Sequence, residues 1–288
     1  MLPLTPVIAR THPLALRRTI ALAVLLPGVL AAPAHAAKPP NPCLDPVQSK
    51  QLLCPDLVMD KPFGLKLDRR IKPGRVVLRA GNSIDNLGLG PAELHGVRSS
   101  PGYMRARQRI HRRGGRSRLS VKTGALLYFK YVAGQRRYWK FHYAAKFDLW
   151  RLDSRGRPVR KVRRGPKVSY CLRDLKRTHP RARSPRRRVY PACNTSRKKR
   201  RVTLGTSVGW SDIYPAAYPE QYLDVTGLRG CFAYRHTADP RDGIYESNER
   251  NNAGVVTVRL PFRPGPQRCS GRGRSTPPAA DDDLPDPY

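Results

Sequence analysis

Apolar and polar positions alternate in short runs along most of this chain, with the period of two that half-buried strands require. Residues 65–69 and 75–80 alternate apolar and charged side chains. Residues 92–97 read as an edge strand and 104–111 as a short basic run. Residues 125–131 and 139–152 place aromatic and β-branched residues at strand-like spacing. Shorter runs follow at 159–162 and 167–172, and 255–260 reads as the last strand. Residues 205–234 form the calmest part of the chain, with six aromatic residues among small ones and Arg229 as the sole cation. A chain that keeps its arginines elsewhere buries such a stretch. Within it, 222–225 and 231–234 read as two strands, with Gly227 and Gly230 punctuating the turn between them. Residues 82–90, rich in glycine and asparagine, read as a turn, and the Arg-rich runs 178–188 and 196–201 as exposed loops. There is no internal repeat and no long amphipathic helix. The pattern predicts an all-β fold: a β-sandwich of short antiparallel strands with long Arg-rich loops.

Charge and cysteine usage narrow the setting. The chain has 288 residues and a net charge of +36. Arginines 10, 17 and 18 are the charged residues of 1–36, so +33 remains beyond it. Arg17 and Arg18 precede an apolar run that ends in Ala34-His35-Ala36, the order of a secretory signal peptide. The run is too short for a comfortable membrane span, and no later segment is apolar enough for one. All six cysteines lie beyond residue 36, and an even count in an exported chain implies disulfides. Proximity in sequence pairs Cys43 with Cys54, Cys171 with Cys193 and Cys231 with Cys269. The expected layout is a signal peptide at 1–36, a Pro-rich N-terminal segment at 37–53 that is loose over 37–46, a β domain at 54–263 and a disordered tail at 264–288. The expected location is secreted or cell envelope. Anionic envelope polymers fit the charge; specific nucleic-acid recognition does not follow from it.

Three segments carry a family resemblance. Gly165-Pro166-Lys167-Val168-Ser169-Tyr170-Cys171-Leu172-Arg173-Asp174 resembles the lysyl oxidase segment that holds the cofactor lysine. Ser211-Asp212-Ile213-Tyr214 resembles the segment that holds the cofactor tyrosine. Glu246-Ser247-Asn248-Glu249-Arg250-Asn251-Asn252 resembles the family's terminal Glu-Ser-Asp-x-x-Asn-Asn motif. The resemblance implies oxidation of peptidyl lysine or other primary amines by copper and a lysyl tyrosylquinone, whose precursors match Lys167 and Tyr214. It also implies a calcium site built from Asp56, Leu57 through its backbone carbonyl, Glu246, Asn248, Asn251 and Asn252; oxygen ligands of this kind suit calcium.

The sequence departs from the family at copper. The family's His-x-His-x-His run places three imidazoles on one strand face, which suits copper(II). Here the corresponding stretch, upstream of Phe147-Asp148-Leu149, reads Gln135-Arg136-Arg137-Tyr138-Trp139-Lys140-Phe141-His142-Tyr143. Arg136, Tyr138 and Lys140 form one alternate set, and His142 is the one histidine nearby. Arginine cannot ligate, and lysine gives up its proton reluctantly. His95, His111, His179 and His236 are scattered singly. The reading is therefore a lysyl-oxidase-like domain with impaired or lost catalysis. The alternative is a basic, immunoglobulin-like adhesion module that binds polyanions. The sequence GTSVG at 205–209 has no strand–turn–helix context for a nucleophile elbow, and no P-loop, C-x-x-C or HExxH occurs.

Overall fold

The computed structural model describes residues 38–269. The signal-peptide reading of 1–36 and the tail reading over 270–288 lie outside the described residues. The fold is all-β, with one short 3-10 helix, Gln48–Gln51. All strand pairs are antiparallel and fall in sheets of eight, four and six strands.

The largest sheet runs in the order Ser169–Tyr170, Arg137–His142, Leu126–Tyr131, Tyr103–Arg112, Ala92–Ser100, Arg201–Thr206, with Leu52–Leu53 and Arg118–Val121 also on Tyr103–Arg112. The four-stranded sheet runs Pro158–Arg164, Ala145–Leu152, Gly230–Ala238, Ala253–Leu260. The third is organised around Val77–Asn86, which pairs with Trp210–Tyr214, Tyr222–Asp224, Leu57–Met59 and Phe63–Asp68. Inward side chains of all three sheets meet in one core, including Leu94, Leu127, Phe147, Phe232, Leu78 and Leu223.

Four expectations need correction. Residues 82–86 are strand rather than turn: Val77–Asn86 is buried along its whole length. Its polar residues stay inside because remote groups satisfy them. Arg79 donates to the carbonyls of Ala216 at 2.6 Å and Tyr218 at 2.7 Å. Gln221 donates to Asn82 at 2.6 Å, and Asn86 donates to the carbonyls of Gly90 at 2.9 Å and Thr206 at 2.8 Å. Second, Ala92–Ser100 is interior; the edge is Arg201–Thr206, whose exposed arginine start discourages further pairing. Third, 139–152 is not one strand. It divides at Tyr143, whose φ is 59°, into Arg137–His142 and Ala145–Leu152, which belong to different sheets. Fourth, 38–46 is anchored rather than loose. Asn41 donates to Glu249 at 2.9 Å and to the Glu246 carbonyl at 3.0 Å, and Cys43 is bonded to Cys54.

The other disulfides are Cys171–Cys193 and Cys231–Cys269. Among the described residues no helix is long and apolar enough to cross a membrane.

Candidate functional site

The segment 165–168 connects the four-stranded sheet to the eight-stranded one and carries Lys167 into the interior. Gly165 permits the turn: a Cβ there would come within 3.0 Å of the Tyr222 carbonyl and 3.1 Å of Phe147. Lys167 is fully buried, and its Nζ makes no hydrogen bond. It lies against three tyrosine rings, 4.1 Å from the centroid of Tyr218, 4.5 Å from Tyr214 and 4.7 Å from Tyr170. Tyr214 closes the strand Trp210–Tyr214 and meets Tyr170 and Tyr218 edge-on at 4.5 and 4.8 Å. The structure thus brings Lys167 and Tyr214 together.

Burial drives the electrostatics. It pulls the Lys167 amine well below the ordinary lysine range, and the charge of Lys140 pushes the same way. The rings favour the ammonium, but the desolvation of a fully enclosed amine outweighs them. Asp212 is buried on the same strand as Tyr214, and burial lifts its carboxyl to about 8 against the pull of Arg173, Lys167 and Lys140. Burial raises the Tyr214 phenol well above its usual value, and Asp212 adds to the rise.

The face that carries the family's metal run is built here by Arg137–His142. Its alternate positions are Tyr138, Lys140 and His142; Arg136 precedes the strand and is exposed, so it is not part of the set. Lys140 is buried, reaches the Ser169 carbonyl at 3.5 Å and lies 5.0 Å from the Tyr138 ring. Burial lowers its pKa to about 8. His142 packs edge-on to Tyr128 at 4.8 Å and beside Tyr143 at 4.2 Å. The other histidines do not join it. His95 pairs with Thr203 at 3.1 Å and His179 with Asp85 at 3.3 Å. His111 sits 3.7 Å from Glu93, and His236 is stacked on Phe147 at 3.9 Å. Among the described residues no group of three or more His, Cys, Asp or Glu side chains could hold a metal ion. One imidazole, one phenol and one buried amine do not fit copper(II), which wants several unprotonated nitrogens.

Over Tyr214 lies a cavity of about 140 Å³, lined by Gln135, Tyr138, Arg173, Tyr218 and the Cys171–Cys193 disulfide. The hydroxyls of Tyr138 and Tyr218 are 2.8 Å apart, and each is 2.8 Å from Gln135 Oε1.

A second cluster forms around Glu246. Asn251 donates to Asp56 at 2.8 Å and Asn252 to Glu246 at 2.8 Å. The N–H of Leu57 donates to Glu246. Asn248 instead caps its own turn, accepting from the Arg250 N–H at 3.1 Å. Two acids that sequence reasoning did not assign join the cluster. Burial lifts Asp239 and Glu249 to about 7 each, and burial together with these two neighbours raises Glu246 well above its ordinary value. Glu249 Oε2, Asn251 Oδ1 and Asn252 Oδ1 are buried without hydrogen-bond partners. Crowded carboxylates with orphaned amide oxygens fit a hard cation such as calcium. Amide oxygens would complete a ligand set that the acids alone do not.

The fold and these sites define an all-β, disulfide-bonded protein with a buried lysine–tyrosine centre. Residues 103–263, more than half of the chain, match the lysyl oxidase family, and the chain belongs to that family. No curated protein matches it. The family implies copper, a quinone cofactor, amine substrates and an extracellular setting. Asp212, Arg173, Tyr170 and Tyr218 were missed as site residues. Asp212 stood within the Ser-Asp-Ile-Tyr segment, and Tyr170 and Arg173 within the lysine segment 165–174; only Tyr218 needed the tertiary structure to place it.

Proposed function

We propose that this protein is a secreted member of the lysyl oxidase family that has lost copper-dependent amine oxidation. One observation carries the reading: buried Lys140 alternates with His142 and Tyr138 on the face where the family requires imidazoles. A cationic side chain there repels a metal ion and supplies no free nitrogen. Tyr214 accordingly stays a phenol and Lys167 an amine. The Glu246 cluster binds calcium and ties the 56–57 region to the turn before the last strand. The surface charge allows binding to anionic envelope polymers. The disulfides and the signal-like leader support export.

Metal analysis of the exported protein, reporting copper and calcium together, tests both halves. The expected result is calcium without copper. Carbonyl-reagent labelling after incubation with copper should give no quinone. Labelling at Tyr214 would restore the amine oxidase reading, which the proximity of Lys167 to the Tyr214 ring favours.

A further inference from the structure

We propose that Lys167 is the nucleophile of a carbonyl-binding site, condensing with a small aldehyde or 2-oxo acid that enters the cavity over Tyr214 while Arg173 holds the ligand's anionic group. The inference rests on the reading above, because it needs Lys167 as a free amine.

The geometry has three parts. The amine is fully buried and makes no hydrogen bond, and no carboxylate lies within ion-pair distance of it. An amine so placed is biased toward its neutral, nucleophilic form. Lys140, the neighbouring buried amine, is engaged by the Ser169 carbonyl at 3.5 Å. Next, Tyr214 and Tyr218 are shared walls: one side of each ring faces Lys167, and both line the cavity. Tyr218 lies in the loop 215–221 between two strands, is half-buried, and is tied at its hydroxyl to Tyr138 and Gln135 at the cavity mouth. Lys167 itself does not line the cavity, so on this proposal Tyr218 swings aside to admit the ligand to the amine. Finally, Arg173 lines the same cavity, and its Nε is buried without a hydrogen-bond partner. A guanidinium with an unused donor suits a carboxylate. The volume, about 140 Å³, admits a molecule of only a few heavy atoms.

The chemistry balances without an oxidant. The Nζ lone pair attacks the carbonyl carbon, and a C–N bond forms. The carbon–oxygen bond of the resulting carbinolamine then breaks. The oxygen leaves as water, carrying the two amine hydrogens. Asp212, which interacts electrostatically with Lys167 and has a carboxyl raised by burial, can supply a proton to the departing hydroxyl and take one from nitrogen.

The test treats the full exported protein with glyoxylate, reduces it with cyanoborohydride and maps the modified peptides. Propanal, which is uncharged, serves in a parallel sample. Lys167 should be modified first, ahead of exposed lysines such as Lys50, Lys66 and Lys199. Lys167→Arg should remove that adduct. Arg173→Gln should slow glyoxylate modification of Lys167 by about tenfold or more, the loss expected for a charged hydrogen bond, and leave propanal modification unchanged. Adducts spread over exposed lysines in folded protein, with Lys167 untouched, would overturn the proposal; so would modification confined to Lys140. Phenylhydrazine labelling of a separate copper-treated sample keeps the two readings apart. A labelled Tyr214 sinks the loss of catalysis and this proposal together. An unlabelled Tyr214 with an unmodified Lys167 sinks only the carbonyl site.

Discussion

His236 makes folding stability depend on pH in a way that one substitution can isolate. The imidazole is fully buried, stacked on Phe147 at 3.9 Å and edge-on to Tyr234 at 4.7 Å, and neither ring nitrogen has a hydrogen-bond partner. Burial alone lowers its pKa from 6.5 to about 3. A group whose folded pKa is depressed contributes stability above its unfolded pKa and loses it as pH falls. The window therefore opens near 6.5 and closes near 3. At pH 5 the unfolded chain has taken up a proton that the fold refuses, which costs about 2 kcal/mol relative to pH 7.5. For a domain of this size that corresponds to roughly 4–8 °C in Tm. His236→Leu removes the titration and two orphaned polar atoms, so the variant should not be less stable at pH 7.5. Asp212, Asp239, Glu246 and Glu249 have raised pKa values and push stability the opposite way, downward as pH rises. The informative quantity is thus the difference between wild type and His236→Leu, in which the carboxylates cancel. Urea unfolding from pH 7.5 to 5 should show that difference changing by about 2 kcal/mol. Parallel curves for the two proteins would refute the reasoning.

Saturating calcium at about a hundredfold above Kd should stabilise the domain by roughly 2.7 kcal/mol, read as a higher Tm against a chelator baseline, and Glu246→Gln should abolish the shift; an unchanged Tm across the titration would count against the site. Binding to a polyanion should be salt-sensitive and indifferent to sequence, because exposed residues such as Arg186, Arg187, Lys198 and Lys199 act by counterion release; affinity should fall by about tenfold or more over a fourfold rise in salt. The mature protein should begin near Ala37 and contain no free thiol, which intact-mass measurement with and without alkylation reads directly.

The last strand was legible: 255–260 lies within Ala253–Leu260. Residues 104–111 read only as a short basic run, because arginines fill exposed positions of the strand Tyr103–Arg112 that they form. Val77–Asn86 was misread past residue 80 because it is buried throughout, and its asparagines are satisfied by Gln221 and the Thr206 carbonyl, more than a hundred residues away. Local composition cannot reveal such partners. The alternate set at the metal face included Arg136 for a related reason: where a strand starts is set by pairing, and this one starts at Arg137. Lys167 and Tyr214 could be named from their segments. Their walls were only partly in view: Tyr170 and Arg173 stand in the same segment as Lys167, but Tyr218, in the loop 215–221, is brought to them only by the fold.

On the proposed reading the family's two ion sites take different courses in this chain, and local charge gives the reason. Around the buried carboxyl of Asp212 the protein itself places the cations Arg173 and Lys140, beside the amine of Lys167. Lys140 in turn feels Glu220, which is held by Lys130 at 2.8 Å. Positive charge is already built into the fold, so a divalent cation would meet repulsion and only one imidazole. Restoring a histidine at 140 would remove one of these cations, but Tyr138 and Arg173 would remain. Around Glu246 the balance is reversed. Asp56, Asp239, Asp242 and Glu249 crowd the cluster, and Lys38 is the cation that reaches it, 4.0 Å from Asp242. Its buried acids are destabilised in the charged state, and three amide and carboxylate oxygens point inward unused. On the proposed reading the Glu246 cluster gains from an external cation, whereas the lysine–tyrosine centre already has Arg173 and Lys140 beside it.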